Sequence, residues 1–257
     1  MIELGFLGTG GSFSIAERDN TSFLFNTGQN LILVDTPGSV IQRIQKLGFD
    51  PFDLGTILIT HIHADHVYGL PSVFHSLMLH EGLIHVYGSE ETVQFCARYL
   101  DLFGLREAKV RTQTVLHTVH PEKSFRLGDV ADVRPFKVRH HSSSLAYLFH
   151  FAEGLTFLYS GDTPADSALL RRAGDFEVLC HDSSAPSRFF EQVPVLKTMH
   201  TDSAELGRLA EEAGVKILIP IHFFGEVEFS LAEIEAEIRQ SYAGRLIIPR
   251  DFDKIQL

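Results

Sequence analysis

Apolar residues come along this chain in short runs, each closed by glycine, proline or a small polar residue. Ile2–Gly8 is apolar apart from Glu3 and runs into the glycine-rich turn Thr9–Ser12, which predicts an opening strand. Thr21–Thr27 and Asn30–Thr36 read as a hairpin turning near Gly28 and Gln29. After Gly38 the period changes. Val40, Ile41, Ile44 and Leu47 recur at helical spacing, and Gly48 closes the helix. Thr56–Thr60 is continuously apolar or β-branched, as a strand in the middle of a sheet should be. The same alternation continues. Helices are predicted over Leu70–Leu79, Glu90–Gly104, Asp166–Gly174, Asp202–Gly214 and Ser230–Tyr242. Strands are predicted at Ile84–Gly88, Val110–Val115, Ser124–Leu127, Val133–Val138, Phe176–Asp182, Val215–His222 and Arg245–Pro249. Ala146–Phe151 and Leu155–Asp162 form a second hairpin, turning at Glu153 and Gly154. Asp202 with Glu205 three residues on has the form of a capping box. No Pro/Gly/Ser linker, repeat or low-complexity tract divides the sequence. The expectation is one α/β domain over residues 1–257, with two mixed sheets packed face to face and helices outside.

Composition narrows the class. The 257 residues are 44% hydrophobic and 21% charged, ordinary values for a globular protein. No run approaches the roughly 18 apolar residues of a membrane span, so no membrane partner is expected. The opening Met1–Phe13 lacks the basic region of a signal peptide, and a cytoplasmic location is the expectation. Two cysteines, Cys96 and Cys180, lie far apart and exclude a disulfide framework. The net charge of −11 argues against a polyanion as partner, because phosphate contacts need a basic excess.

Fourteen histidines change the picture by their placement. The Thr56–Thr60 strand runs into His61, His63, Asp65 and His66. Residues two apart in extended or turning backbone project to one side. Four coordinating groups therefore leave one strand end together, more than a single ion can use from so tight a loop, whereas two ions side by side can. Other apolar runs also stop on coordinating residues: His140 and His141 after Val133–Val138, Asp162 after Leu155–Ser160, and His222 after Val215–Ile221. Imidazoles and carboxylates in this mix suit zinc, or manganese or iron. His75, His80, His85, His117, His120 and His150 have no such setting and read as structural.

The motif Thr60–His66, "THIHADH", with the later His140, Asp162 and His222, resembles the metallo-β-lactamase superfamily. Phe6–Ser12 and Leu31–Ser39 resemble its opening strands, where Asp35 would support the ligands. The resemblance covers essentially the whole chain and implies a four-layer αββα sandwich. It implies that His61, His63 and His140 bind one divalent ion, that Asp65, His66 and His222 bind a second, and that Asp162 bridges. Within the superfamily the chain looks most like the phosphodiesterase branch that includes ribonuclease Z. There the ligand histidine stands seven positions before a tyrosine. Tyr147 stands seven after His140, which selects His140 over His141, the latter expected to point away.

Two further stretches resemble ribonuclease Z. Leu179–Ser184, "LCHDSS", is similar to a loop that carries glutamate where Asp182 stands here, and Met199–Phe223 is similar to the loop, helix and last ligand strand. By that resemblance Asp65 orients the attacking water, His200 protonates the leaving group and Asp182 orients His200. One departure matters. Ribonuclease Z carries a long arm that grips tRNA, and only fourteen positions separate Tyr147 from Gly161 here. A small phosphodiester (a cyclic nucleotide, a cyclic sugar phosphate or an oligonucleotide end) is therefore the expected substrate, with RNA disfavoured and Arg188 a candidate phosphate contact. A tRNA 3′-end endonuclease, a thioesterase or lactonase, and a non-hydrolytic metal-binding protein of the same fold are the alternatives. Dimers are common in this branch, so a homodimer is an open expectation.

Overall fold

The computed structural model describes residues 2–257. The first half builds strands β1 (Glu3–Gly8), β2 (Ser22–Asn26), β3 (Leu31–Val34), β4 (Leu54–Leu58), β5 (Gly82–Gly88) and β6 (Thr112–Thr118). The second half builds β7 (Phe125–Leu127), β8 (Ala131–Lys137), β9 (Leu145–Phe151), β10 (Thr156–Tyr159), β11 (Val178–Asp182), β12 (Ile217–Ile221) and β13 (Arg245–Leu246), and β14 (Lys254–Gln256) closes the chain. Two seven-stranded sheets result, ordered β14-β1-β2-β3-β4-β5-β6 and β13-β12-β11-β10-β9-β8-β7. Each is mixed: β1–β3 and β7–β10 run antiparallel, whereas β3–β6 and β10–β13 run parallel. The central parallel strands β3, β4, β11 and β12 are almost wholly buried, because both of their faces are covered.

Three apolar layers hold the sandwich together. Between the sheets lies an aromatic core in which Phe25 meets Phe149, Phe151 and Phe157 at ring-centre distances of 5.1, 5.0 and 5.0 Å. Helices α1 (Val40–Lys46), α2 (Ala64–Val67), α3 (Leu70–Leu77) and α4 (Glu90–Leu102) belong to the first half. Ile44, Val67, Val73, Phe74, Cys96 and Leu100 from them pack on the outer face of the first sheet. Helices α5 (Ser167–Ala173), α6 (Ser187–Gln192), α7 (Ser203–Glu212) and α8 (Leu231–Arg239) follow. Leu169, Leu206, Leu209, Ile234 and Ile238 cover the second sheet. This is the αββα order.

Local chemistry sets the joints. Gly28 and Gly154 take the left-handed backbone that their hairpin turns require. Asp202 caps α7 by accepting from Glu205 N at 2.8 Å. The run Arg245–Pro249 is a regular strand only over Arg245–Leu246, at the sheet edge, although Ile247 N still donates to Leu218 O at 2.9 Å. Strand β14 and the short helices α2 and α6 were not foreseen in the sequence; they are too short to carry a period.

The topology brings the carboxyl ends of β4, β10, β11 and β12 to one rim. Tyr147 links the sheets there, its buried hydroxyl donating to Ile59 O at 2.9 Å just before the histidine motif. The glycine-rich turn after β1 joins the same rim: Gly11 N donates to Phe223 O, and Phe223 N donates to Thr9 O.

Candidate metal centre

Strand β4 delivers His61, and the α2 turn delivers His63, Asp65 and His66. The bend after β8 brings His140, the turn after β10 brings Asp162, and the end of β12 brings His222. All seven meet. The ligand atoms of His61, His63 and His140 lie within 4.8 Å of one another, as do those of Asp65, His66, Asp162 and His222. Asp162 Oδ2 sits between the sets, 3.9 Å from His61 Nε2, 3.6 Å from His140 Nε2, 3.3 Å from His66 Nε2 and 3.1 Å from His222 Nε2. Asp65 Oδ2 lies beside the second set, 3.5 Å from His66 Nε2 and 3.6 Å from His222 Nε2.

Supporting bonds fix the rings. Asp35 accepts from Thr60 N at 2.7 Å and holds His66 Nδ1 at 2.8 Å, which turns His66 Nε2 toward Asp162. Thr60 Oγ1 lies between Asp35 Oδ2, at 2.9 Å, and His61 Nδ1, at 3.0 Å. His140 Nδ1 bonds to Met199 O at 3.1 Å. Asp35 and His222 both hold positive φ angles, 60° and 70°, unusual for residues with a side chain and typical of residues pinned by function. Thr60 stands inside the quoted motif, yet sequence reasoning gave it no role; its hydroxyl carries no periodic signal.

The electrostatics follow from crowding acids and imidazoles out of water. Burial pulls His66 down, but Asp162, Asp35 and Asp65 outweigh it and raise its pKa well above the usual histidine range. Burial likewise opposes charge on His222, yet Asp162 and Asp65 carry its pKa up to about 10. His61 goes the other way, well below its ordinary value, from burial and the neighbouring His66. Burial favours the neutral acid at Asp162 and Asp65, but His222 and His66 override it and hold both carboxylates below their normal range.

The residues present fit a metal pair. His61 Nε2, His66 Nε2, His222 Nε2 and Asp162 Oδ1 are buried polar atoms without a hydrogen-bond partner, and the three Nε2 atoms all lie within 3.9 Å of Asp162 Oδ2. Leaving such groups unpaired is costly unless something binds them. Five imidazoles and two carboxylates form a donor set suited to zinc, manganese or iron.

Beside the cluster stands a second constellation. His200 Nδ1 bonds to Asp182 Oδ2 at 2.8 Å. Asp182 also accepts from Ser184 Oγ at 2.6 Å and Thr163 N at 3.2 Å. The His200 ring lies 4.9 Å from that of His140 and 5.3 Å from that of His222, centre to centre. His141 behaves differently from the strand-alternation expectation. Strand β8 ends at Lys137, so His141 lies in a bend; it bonds to Ser143 Oγ at 2.9 Å while its ring still lies 5.0 Å from that of His63. Arg188 is turned away from the phosphate role, its guanidinium held by Glu233 Oε1 at 2.6 Å and Oε2 at 3.1 Å. His181 is buried outside the cluster, Nδ1 bonded to Asp182 O at 2.8 Å.

Residues 2–223 match the family model described as "Anti-Pycsar protein Apyc1". The chain belongs to the Apyc1 family. Among curated relatives of this Apyc1-family chain, Ribonuclease Z of Methanosarcina acetivorans is 26% identical, over 86% of this chain and 87% of that protein. Ribonuclease Z of Methanosarcina mazei is 24% identical, over 100% of this chain and 98% of that protein. Among solved structures, the metallo-β-lactamase fold protein YhfI of Bacillus subtilis superposes with a TM-score of 0.82 at 18% identity, over 100% of both chains. The short form of human tRNase Z gives 0.79 at 19%, over 99% and 98%. A diphosphatase of the PhnP family gives 0.71 at 18%, over 100% and 98%. The fold of this Apyc1-family member is thus the metallo-β-lactamase fold, with ribonuclease Z-like relatives. The chain is a metal-dependent hydrolase of the phosphodiesterase type. Among the described residues no helix is long and apolar enough to cross a membrane.

Proposed function

We propose that this chain hydrolyses a small phosphodiester, such as a cyclic nucleotide, a cyclic sugar phosphate or an oligonucleotide end. The observation that carries the reading is the Asp182–His200 pair beside the seven-donor cluster. Hydrolysis of an alkyl phosphodiester expels an alkoxide, which needs a proton; a thioester expels a thiolate, which does not. In this reading His61, His63 and His140 hold one divalent ion, Asp65, His66 and His222 hold the other, and Asp162 lies between. When bound, such a pair lowers the pKa of water and offsets charge growing on the phosphoryl oxygens.

The protein's own groups do the rest. Asp65 reaches the cluster through Oδ2, which leaves Oδ1 to orient the attacking water. Asp182 accepts from Nδ1–H of His200 and offsets the charge of the imidazolium form, whose Nε2–H is the proton that the leaving oxygen receives. Ser184 and Thr163 hold Asp182 in that orientation.

The β9–β10 hairpin bears on substrate size. Its strands pair directly from Tyr147↔Tyr159 to His150↔Thr156, so nothing projects there to grip a folded RNA. The alignment to the M. mazei enzyme runs over 303 residues against 257 here, so that relative carries insertions this chain lacks. The ribonuclease Z relatives favour a second reading, cleavage at an RNA 3′ end, which the short hairpin and the charge of −11 oppose.

Metal quantification coupled to a screen of cyclic and linear phosphodiesters, a phosphomonoester, a thioester, a lactone and a precursor tRNA tests the reading. Turnover of the small phosphodiesters above all others is expected. Faster turnover of thioester or lactone, or of the precursor tRNA alone, would contradict it.

A further inference from the structure

The Asp182–His200 pair is carried by two loops, and a residue far outside the centre holds both of them. Asp182 ends β11, and five residues later Ser187 opens α6. His200 precedes α7, which Ser203 opens. Glu237, on α8, accepts from Ser187 N at 2.9 Å through Oε2 and from Ser187 Oγ at 2.7 Å through Oε1; Oε2 also accepts from Ser203 Oγ. One carboxylate thus ties the first residues of two helices. Bonds to an ionised acceptor are among the stronger ones, and Ser203 is fully buried.

Between this tie and the catalytic pair the loops are zipped. Ser203 N donates to Ala185 O at 3.2 Å and Ser184 N donates to Thr201 O at 3.0 Å. Ser184 in turn donates its hydroxyl to Asp182 Oδ1. The connection therefore runs without a gap from Glu237, through the paired loops, to the carboxylate that orients His200. Helix α8 comes close enough because Gly207 faces it on α7: a Cβ there would stand 2.6 Å from Ile238 O.

We propose that Glu237 is a positioning residue that fixes the mutual placement of Asp182 and His200 by clamping their loops at the far end. The inference rests on the reading of His200 as proton donor. Removing the carboxylate leaves the Ser187 N–H and the buried Ser203 hydroxyl without their acceptor, and the zipped loops lose their common anchor. The effect on chemistry should then depend on the leaving group. An alkoxide needs the proton from His200, whereas a phenolate of low pKa leaves without much help.

Metal-loaded wild type, Glu237→Ala and Ser203→Ala are compared. Ser203→Ala removes one of the three donors and leaves α8 intact, so it decides the matter where Glu237→Ala fails to fold. The first readout needs no turnover: the downfield proton resonance of the His200–Asp182 bond, assigned by its absence in His200→Asn. The second is kcat on an alkyl and on a nitrophenyl phosphodiester. The resonance should shift or broaden in both variants. Glu237→Ala should lose roughly tenfold in kcat on the alkyl ester and about twofold at most on the aryl ester. A folded variant with the resonance and both kcat values of the wild type would overturn the inference. So would equal losses on both esters with the resonance intact, the mark of a purely structural brace. If the wild type cleaves neither ester, the functional reading fails, and the resonance alone decides the role of Glu237.

Discussion

At the scale of single residues, the candidate ligands stood out because their signal is local. Coordinating side chains follow directly on apolar runs, and a strand that stops on histidine or aspartate is legible without knowing its neighbours. The groups that hold them are less so. Thr60, Ser184 and the positive φ of Asp35 and His222 acquire meaning only when distant loops meet. Asp35→Asn tests this support. It keeps the shape but removes the charge behind His66, and zinc affinity should fall roughly 10–100-fold in chelator competition. Unchanged affinity would mean that His66 is held by packing alone. The two cysteines carry a pH prediction. Burial pushes the Cys96 thiol up to about 12 and raises that of Cys180 well above its ordinary value. Both should resist a thiol reagent at pH 8 in the folded protein and react together in denaturant. The sign follows from linkage: folding favours the protonated thiol, so this contribution is complete below the unfolded-state pKa and is lost as pH climbs toward about 12. Fast labelling of either cysteine in folded protein would show that its cover opens.

At the scale of elements, hairpins, caps and amphipathic helices were readable, since each has a short-range cause. Gly28 and Gly154 mark the turns and Asp202 marks the start of α7. Strand β14 was not readable: three residues, two of them exposed, gain strand form by pairing with β1. Nor did the position of Arg188 predict its partner, because Glu233 lies on α8, 45 residues later. Tyr147 shows how one element positions another. It belongs to β9 in the second sheet, yet its hydroxyl supplies a bond to the carbonyl of Ile59 in the first. Tyr147→Phe leaves that buried carbonyl short of its donor. Unfolding in urea should show a loss of about 1–3 kcal/mol with metal stoichiometry unaltered. A neutral result would mean that solvent or a backbone shift replaces the bond.

At the scale of the whole molecule, the sandwich turns two halves of the sequence into one rim. His61, His63, Asp65 and His66 come from the first sheet and His140, Asp162, His200 and His222 from the second, so the centre forms only where the sheets pack. The four layers were legible as a pattern of alternating strands and helices; the pairing order, set by long-range contacts, was not. A ligand that bridges two sheets should stabilise the entire fold. Chelation should lower the melting temperature, and zinc at 100 times its Kd should add about 2.7 kcal/mol to folding stability. Equal stability with and without metal would separate the cluster from the fold. The central claim, that two ions sit among these seven side chains, is tested most directly by anomalous diffraction from crystals of zinc-loaded protein. Two peaks per chain are predicted, one among His61, His63 and His140 and one among Asp65, His66 and His222, both touching Asp162. No peak at this rim, or peaks only elsewhere on the molecule, would contradict it.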